Sequence, residues 1–337
     1  MTRDYSLTGP EGPRAVDAGL AGAKWWTPHV DRTEMLAIMQ RTDGRAAIDT
    51  LLWLALTVAS GWWLVATWFS WWTLPAAFVY GTLYGSASDA RWHECGHRTA
   101  FKSRRANDVI YHLASFMDVR EPVSWRWSHH RHHADTIIVG RDPEIAYMRP
   151  PSFAKTLADC FGIFSTWAEA KKYAANMVGR LSPDSATYVP EREASRAIFW
   201  GRVHVAVWVA VVATSLASQS MLPLMLVGLP SLYGRWLLVF FGTTQHAALA
   251  EDVLDHRLNT RTVLMNPVFR FLYLNMNYHL EHHMFPAVPY RNLPKLHDLV
   301  KNELPEPFPN NWAAYRTILP AMRRQQKDLE YCLAPGA

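Results

Sequence analysis

The sequence predicts an all-α integral membrane protein, with about four transmembrane helices in two hairpins and a helical cytoplasmic cap. Three observations carry that expectation. Two long apolar regions are each long enough to cross a bilayer twice, tryptophans crowd the turn of the first, and three histidine clusters with helical spacing lie outside both.

The first apolar region, 46–90, contains no Lys or Arg. At roughly 20 residues per crossing it holds two spans, expected at about 46–68 and 72–91. Trp62, Trp63, Trp68, Trp71 and Trp72 lie at its middle, where a belt of indoles would mark the membrane–water interface. The second pair is expected at about 197–217 and 221–241, turning near Ser218-Gln219-Ser220. Arg235 falls inside its last span, either as a functional group or as a side chain snorkelling to the interface. Half of the 337 residues are hydrophobic, with 16 Trp, 13 Tyr and 14 Phe, yet the mean hydropathy is only −0.10. Few spans carrying a substantial polar part account for both. The alternative, a core hairpin of a soluble protein, explains neither the indole cluster nor the uncharged turns.

Basic residues orient the chain. Lys24, Arg32, Arg41 and Arg45 precede the first pair of spans, and Arg91, Arg98, Lys102, Arg104 and Arg105 follow it, while both inter-span turns lack Lys and Arg. The positive-inside rule then puts both termini and the segments 92–196 and 242–322 in the cytoplasm. Residues 24–322 form the expected membrane domain, with 323–337 as a tail. Residues 1–23, polar and rich in Gly and Pro without the apolar stretch of a signal peptide, are expected to be disordered. Between Phe153 and Gly179, Phe153, Leu157, Phe161, Phe164 and Trp167 recur at three- and four-residue steps, as in an interfacial helix or one packed on the cytoplasmic part.

The net charge of +5 comes without a basic run or a recognition motif, so nucleic acid is not the expected partner; anionic headgroups or an acidic protein are. Cys95, Cys160 and Cys332 are far apart and form no CxxC, which excludes a disulfide framework and a built-in rubredoxin-like site. No GxGxxG or Walker loop is present.

The chemistry lies in the histidines. His93-Glu94-Cys95-Gly96-His97 is an HxxxH; His129-His130-Arg131-His132-His133 and His279-Leu280-Glu281-His282-His283 are HxxHH. Positions i, i+3 and i+4 share a helix face, so each box aims imidazoles at one point. A lone HxxxH is weak evidence, but packing gives no reason to repeat the spacing three times. Eight such histidines exceed one tetrahedral zinc, and nitrogen donors suit redox metals better than hard cations. Cys95 should point off the ligand face. His112, His256 and His297 belong to no box and are expected to be structural or exposed. A redox centre without a nucleotide domain needs electrons from another protein, and its substrate should be apolar.

HECGHRTAF at 93–101, SHHRHHADT at 128–136 with GRDPE at 140–144, and NYHLEHHMFPAVPYRNLPKLH at 277–297 resemble the membrane fatty-acid desaturase/hydroxylase superfamily, most nearly its acyl-lipid desaturase branch. The resemblance covers roughly Thr50 to Leu304. It implies a non-haem centre of two iron ions that uses O2 and two electrons to attack an unactivated C–H bond. By resemblance His93, His97, His129, His132, His133, His279, His282 and His283 are ligands, with His246 as the separate ninth. His130 is out of frame. Glu94, Asp142, Glu144 and Glu281 are candidates for carboxylates that orient a ligating imidazole through its far N–H. The acyl-CoA branch has a longer first box and an Asn where Gly242 stands. The cytochrome b5-fused enzymes usually begin the last box with Gln, where this chain has His279, and no b5-like segment is seen. A free ferredoxin, rubredoxin-like protein or cytochrome, with its reductase, is therefore the expected donor. The resemblance places the chain in the cytoplasmic membrane, if the source is bacterial, with its active site on the cytoplasmic side.

Desaturation leads among the outcomes. Hydroxylation, or oxidative dealkylation of a lipid or small amphiphile, is the alternative, because the same ligands serve both and positioning decides. A metal transporter would hold its ligands at mid-membrane, whereas these boxes lie outside the spans. A soluble zinc hydrolase accounts for neither the spans nor the surplus histidines.

Overall fold

The computed structural model describes residues 3–334 and residue 336. Helices and short 3-10 turns make up its regular structure, and two isolated β-bridges are the extended pairing among the described residues. The chain divides into two compact units, one of Met1–Arg41, Arg126–Phe153 and Phe241–Ala337, the other of Thr42–Trp125 and Ala154–Phe240.

The second unit holds the apolar regions. Two of its helices, Asp43–Ala66 and Glu191–Ala217, are long and apolar enough to cross a membrane. The former buries Asp49, Thr57 and Ser60 with Trp53 and Leu64, while Leu51, Val58 and Trp62 are exposed. At the turn that follows, Phe69 and Trp71 are 90% and 89% exposed. Such an inside-out face suits a solvent of hydrocarbon, not water.

The other two expected spans are not single helices. The region 72–91 runs as Thr73–Gly85 and then, after Ser86, as Ala87–His97. The region 221–241 breaks into Leu222–Leu226, Pro230–Tyr233 and the start of Trp236–His246. Pro223 and Pro230 begin short helices, and Gly228 takes φ +97°, so the backbone cannot continue one ladder through them. Gly234 is required by close approach: a Cβ there would collide with the Gly81 carbonyl. Hydroxyls answer the carbonyls released at the breaks. Tyr80 donates to Leu226 at 2.7 Å, Tyr233 to Met225 at 2.8 Å and Ser86 to Gly234 at 2.6 Å. Arg235 sits at the last break, within the field of Asp118 and Asp89 of the same unit.

The amphipathic stretch forms Phe153–Asp159 and Ile163–Met177, divided at Gly162 with φ +64°. The second helix buries Glu169, Tyr173 and Asn176, whereas Leu157, Phe161, Phe164 and Trp167 are exposed.

The first unit is built the ordinary way round. The helix Asn311–Gln325, capped by the Asn310 side chain, buries Ala314, Ile318, Ala321 and Met322 against Ala247, Leu249 and Val263. The N-terminal segment, expected to be disordered, is ordered from Arg3 onward. Arg3 pairs with Glu251 at 2.8 Å and Asp252 at 2.9 Å, and the Tyr5 hydroxyl donates to Glu251 at 2.8 Å. A short helix, Glu11–Asp17, follows. Polar composition offered no core for this segment; charge pairs and one aromatic hydroxyl hold it instead.

Candidate metal centre

Within the first unit, three short segments place seven of the expected ligands. His129, His132 and His133 lie in the last turns of Pro122–Ala134, His246 ends Trp236–His246, and His279, His282 and His283 lie on His279–Met284. In His132, His246, His279 and His283 one ring nitrogen each falls within 4.8 Å of all the others. His129, His133 and His282 form a second set, with His129 and His282 each placing Nε2 at 3.2 Å from Nε2 of His133.

The ε-nitrogens converge while the δ-nitrogens turn outward. His279 Nε2 lies 3.0 Å from His246 Nε2 and 3.1 Å from His283 Nε2. His246 Nδ1 is 2.8 Å from the carbonyl of Asn259. A carbonyl can only accept, so Nδ1 carries the proton and Nε2 presents a lone pair inward. His132 Nδ1 meets Asp142 at 2.8 Å, and His129 Nδ1 meets Glu144 at 3.0 Å. His283 Nδ1 is 3.2 Å from the Thr136 hydroxyl. Ring nitrogens converging at such separations could share a cation.

Charge tuning follows the same division. Burial, with the neighbouring imidazoles, drives His246, His279, His282 and His283 well below the ordinary histidine range, so they stay neutral and able to ligate. Burial also pulls His132 down, but the Asp142 carboxylate outweighs it and holds His132 above its usual value. Burial would raise Glu144; the opposing pull of His129, His132 and Ser128 brings it to about 2.

Asp142 and Glu144 thus meet histidines of the second box. Asp142 also accepts the backbone N–H of Ile137 and of Glu144, both at 2.8 Å, which fixes the turn after the second box. Glu281 departs from expectation. Its carboxylate accepts from the Thr262 hydroxyl and from His297 Nδ1, both at 2.5 Å. Two residues beyond His279 it lies on the opposite side of the helix, facing the core of the unit instead of the ligand nitrogens. Glu94 accepts from the Thr99 hydroxyl at 2.8 Å, at the turn closing its own helix.

His93 and His97 stand one turn apart on Ala87–His97 in the second unit, their ring centroids 5.1 Å apart. Cys95 between them is buried, and His130 is exposed with its ring edge-on to Trp127. His112 packs on Trp200. His256 is buried under a stacked Trp25, 5.2 Å from the ring of His283. Sequence reasoning missed Thr136, Asn259, Thr262 and the role of His297. Thr136 could have been found, since it lies three residues past His133 on the same turn. The Asn259 carbonyl leaves no side-chain signature.

Buried and half-buried nitrogen donors held on short helices define a helical protein that could hold metal ions. The comparisons are specific about which kind. The family model described as fatty acid desaturase matches residues 66–313, and the chain belongs to that family. It is 25% identical over 260 residues to the Delta(5) fatty acid desaturase fat-4 of Caenorhabditis elegans, covering 68% of this chain and 57% of that protein. Identity to the sn-1 oleoyl-lipid 12-desaturase of Anabaena variabilis is 31% over 110 residues, 32% of this chain and 31% of the relative. The chloroplastic omega-6 fatty acid desaturase of Glycine max is 22% identical over 281 residues, 78% of this chain and 65% of its own. The matches therefore span between 31% and 65% of these relatives' lengths.

Proposed function

We propose that this chain is an O2-dependent membrane oxidoreductase that introduces a double bond into an acyl chain or similar lipid-like substrate. The observation that carries the reading is the inward convergence of ε-nitrogens, three of them on rings whose δ-nitrogens meet Asp142, Glu144 and the Asn259 carbonyl. That donor set fits iron: imidazole suits first-row transition metals, and the outer partners fix each tautomer. His132, His246, His279 and His283 would hold one iron, and His129, His133 and His282 would contribute to the other; His93 and His97 are proposed as further ligands from the sequence pattern of the first box. Two irons bound there would supply, with O2, an oxidant able to attack an unactivated C–H bond.

The chain's own residues do the rest. Asp142 and Glu144 keep the proton on Nδ1 of their imidazoles, and burial keeps His246, His279, His282 and His283 neutral. Relatives named for fatty-acid and oleoyl-lipid desaturation support the acyl substrate, as do the exposed apolar faces of Asp43–Ala66 and Glu191–Ala217. In balance, the substrate gives up two hydrogens, and O2 with two electrons and two protons becomes two waters. A separate ferredoxin, rubredoxin-like protein or cytochrome, kept reduced by its reductase, provides the electrons. The four apolar regions form two membrane hairpins, with the boxes on the cytoplasmic side.

The test compares lipids from cells expressing this chain with those expressing His282→Ala, grown under 18O2. The expected product is an unlabelled lipid two mass units lighter, absent from the variant, whose iron content also falls while membrane insertion persists. A labelled alcohol or aldehyde would instead assign a monooxygenase. Full activity in the variant would remove His282 from the ligand set.

A further inference from the structure

Two arginines are buried among the described residues of the first unit, and among those residues only one of the two meets an acid. Arg149 pairs with Glu251 at 3.3 Å and donates to the carbonyls of Leu249 and Leu329. Arg261, 7% exposed, gives one Nη2 bond to the Ala247 carbonyl. Its Nη1 is buried without a hydrogen-bond partner, and no carboxylate among the described residues pairs with it. Burial pulls its pKa down to about 9, which still leaves it charged at neutral pH. A buried charge that lacks a counter-ion is costly enough that proteins rarely keep one without a use.

Arg261 also lines a cavity. Thr260, Thr262 and Arg257 share the lining with apolar Leu249, Leu280 and Phe308, and exposed Glu306 is the acid on it. Arg257 is already committed, to Asp255 at 2.7 Å and across the ring of Trp26 at 3.4 Å. The Thr262 hydroxyl is likewise given to Glu281 and that of Thr260 to Asn259. One guanidinium is thus left with a free N–H, beside an apolar wall.

We infer that this cavity is an anion site whose ligand is a monoanionic carboxylate seated on Arg261, its carbon chain against Leu249, Leu280 and Phe308. A guanidinium presents N–H groups in the fork that a carboxylate matches. A single free cation balances one negative charge, whereas a phosphate dianion would leave a second uncompensated. The carboxylate has two possible sources, a small organic acid or the head of a free acyl chain. Leu280 lies inside the third histidine box, so the second source rests on the proposed function; carboxylate binding itself does not.

The experiment titrates full-length, iron-loaded protein in lipid nanodiscs with [1-13C]acetate and with [1-13C]oleate, following the carboxyl resonance and the melting temperature. Wild type, Arg261→Met and Arg261→Lys are compared, with iron content measured in each. Saturable binding is expected in wild type, weakened about tenfold or more in Arg261→Met and partly retained in Arg261→Lys. In anion-free buffer Arg261→Met should melt no lower than wild type, because an unanswered charge has been removed. If Arg261 were only structural, that variant would melt lower and bind equally. Saturation by oleate alone identifies an acyl head, and by acetate alone a small acid. Binding of neither, or equal binding to all three proteins, overturns the site. Should Arg261→Met lose its melting transition, Arg261→Lys carries the comparison. No readout depends on turnover, so failure of the desaturase reading and failure of this site are separable.

Discussion

The two units of this molecule solve opposite solvent problems with the same secondary structure. In the first, the helix Asn311–Gln325 hides Ala314, Ile318 and Met322 and leaves Arg323 and Arg324 outside. In the second, Asp43–Ala66 hides Asp49, Thr57 and Ser60 and leaves Leu51, Val58 and Trp62 outside. Hydroxyls in the second unit bond carbonyls of broken helices, as Tyr80 does with Leu226. Ionisable groups in the first converge on imidazoles. The comparison teaches that burial has no fixed chemical meaning in this chain: what is hidden depends on what lies outside.

The largest effect should come from charging the outward face of the second unit. Leu51→Arg with Val58→Arg should abolish membrane insertion, as read by fractionation of expressing cells, the arginine at the central position 58 costing about 2.5–3.5 kcal/mol and the one nearer the span's start less. Exposed positions of a water-facing helix would instead tolerate the pair, and unchanged insertion would dissolve the contrast between the units.

An intermediate effect separates two carboxylates within the first unit. Asp142→Asn should weaken metal retention about 10–100-fold, because a neutral amide holds the Nδ1 proton of His132 more weakly than a carboxylate and loses one of the two oxygens that accept backbone N–H groups. Glu281→Gln should keep its metal better and lose melting temperature, because its partners are Thr262 and His297. Chelator competition and thermal melts on both variants read the difference.

The smallest effect is a slope with pH. Burial, reinforced by Glu169 and opposed by bonds from Ser124 and Val123, raises Glu121 to about 7 in the second unit. With its folded pKa above the unfolded one, the folded state binds the extra proton. Stability should therefore be greatest below about pH 4 for this group and fall as pH rises toward 7. Glu121→Gln should flatten that part of the curve in denaturation experiments, and an unchanged curve would remove the group from the account.

The histidine boxes were legible because ligands one turn apart write themselves into sequence as i, i+3 and i+4, and the carboxylates of GRDPE followed within a few residues. The apolar regions were legible for the same reason of length. Continuity was not. Pro223, Gly228 and Pro230 divide the last region, and hydropathy counts apolar residues without asking whether one helix joins them. Nor was the N-terminal segment legible, since Arg3 finds Glu251 across 248 positions and Trp25 finds His256.

The amino-acid order by itself determined the helical class, the apolar regions and the three histidine boxes, because each is a run or a periodicity within one segment. Tertiary structure alone decided that Nε2 atoms face inward, that Asn259 lends a carbonyl, that Glu281 serves His297, and that Arg261 meets no carboxylate among the described residues. Those depend on which segments meet, and long-range contact geometry has no local spacing from which to be read.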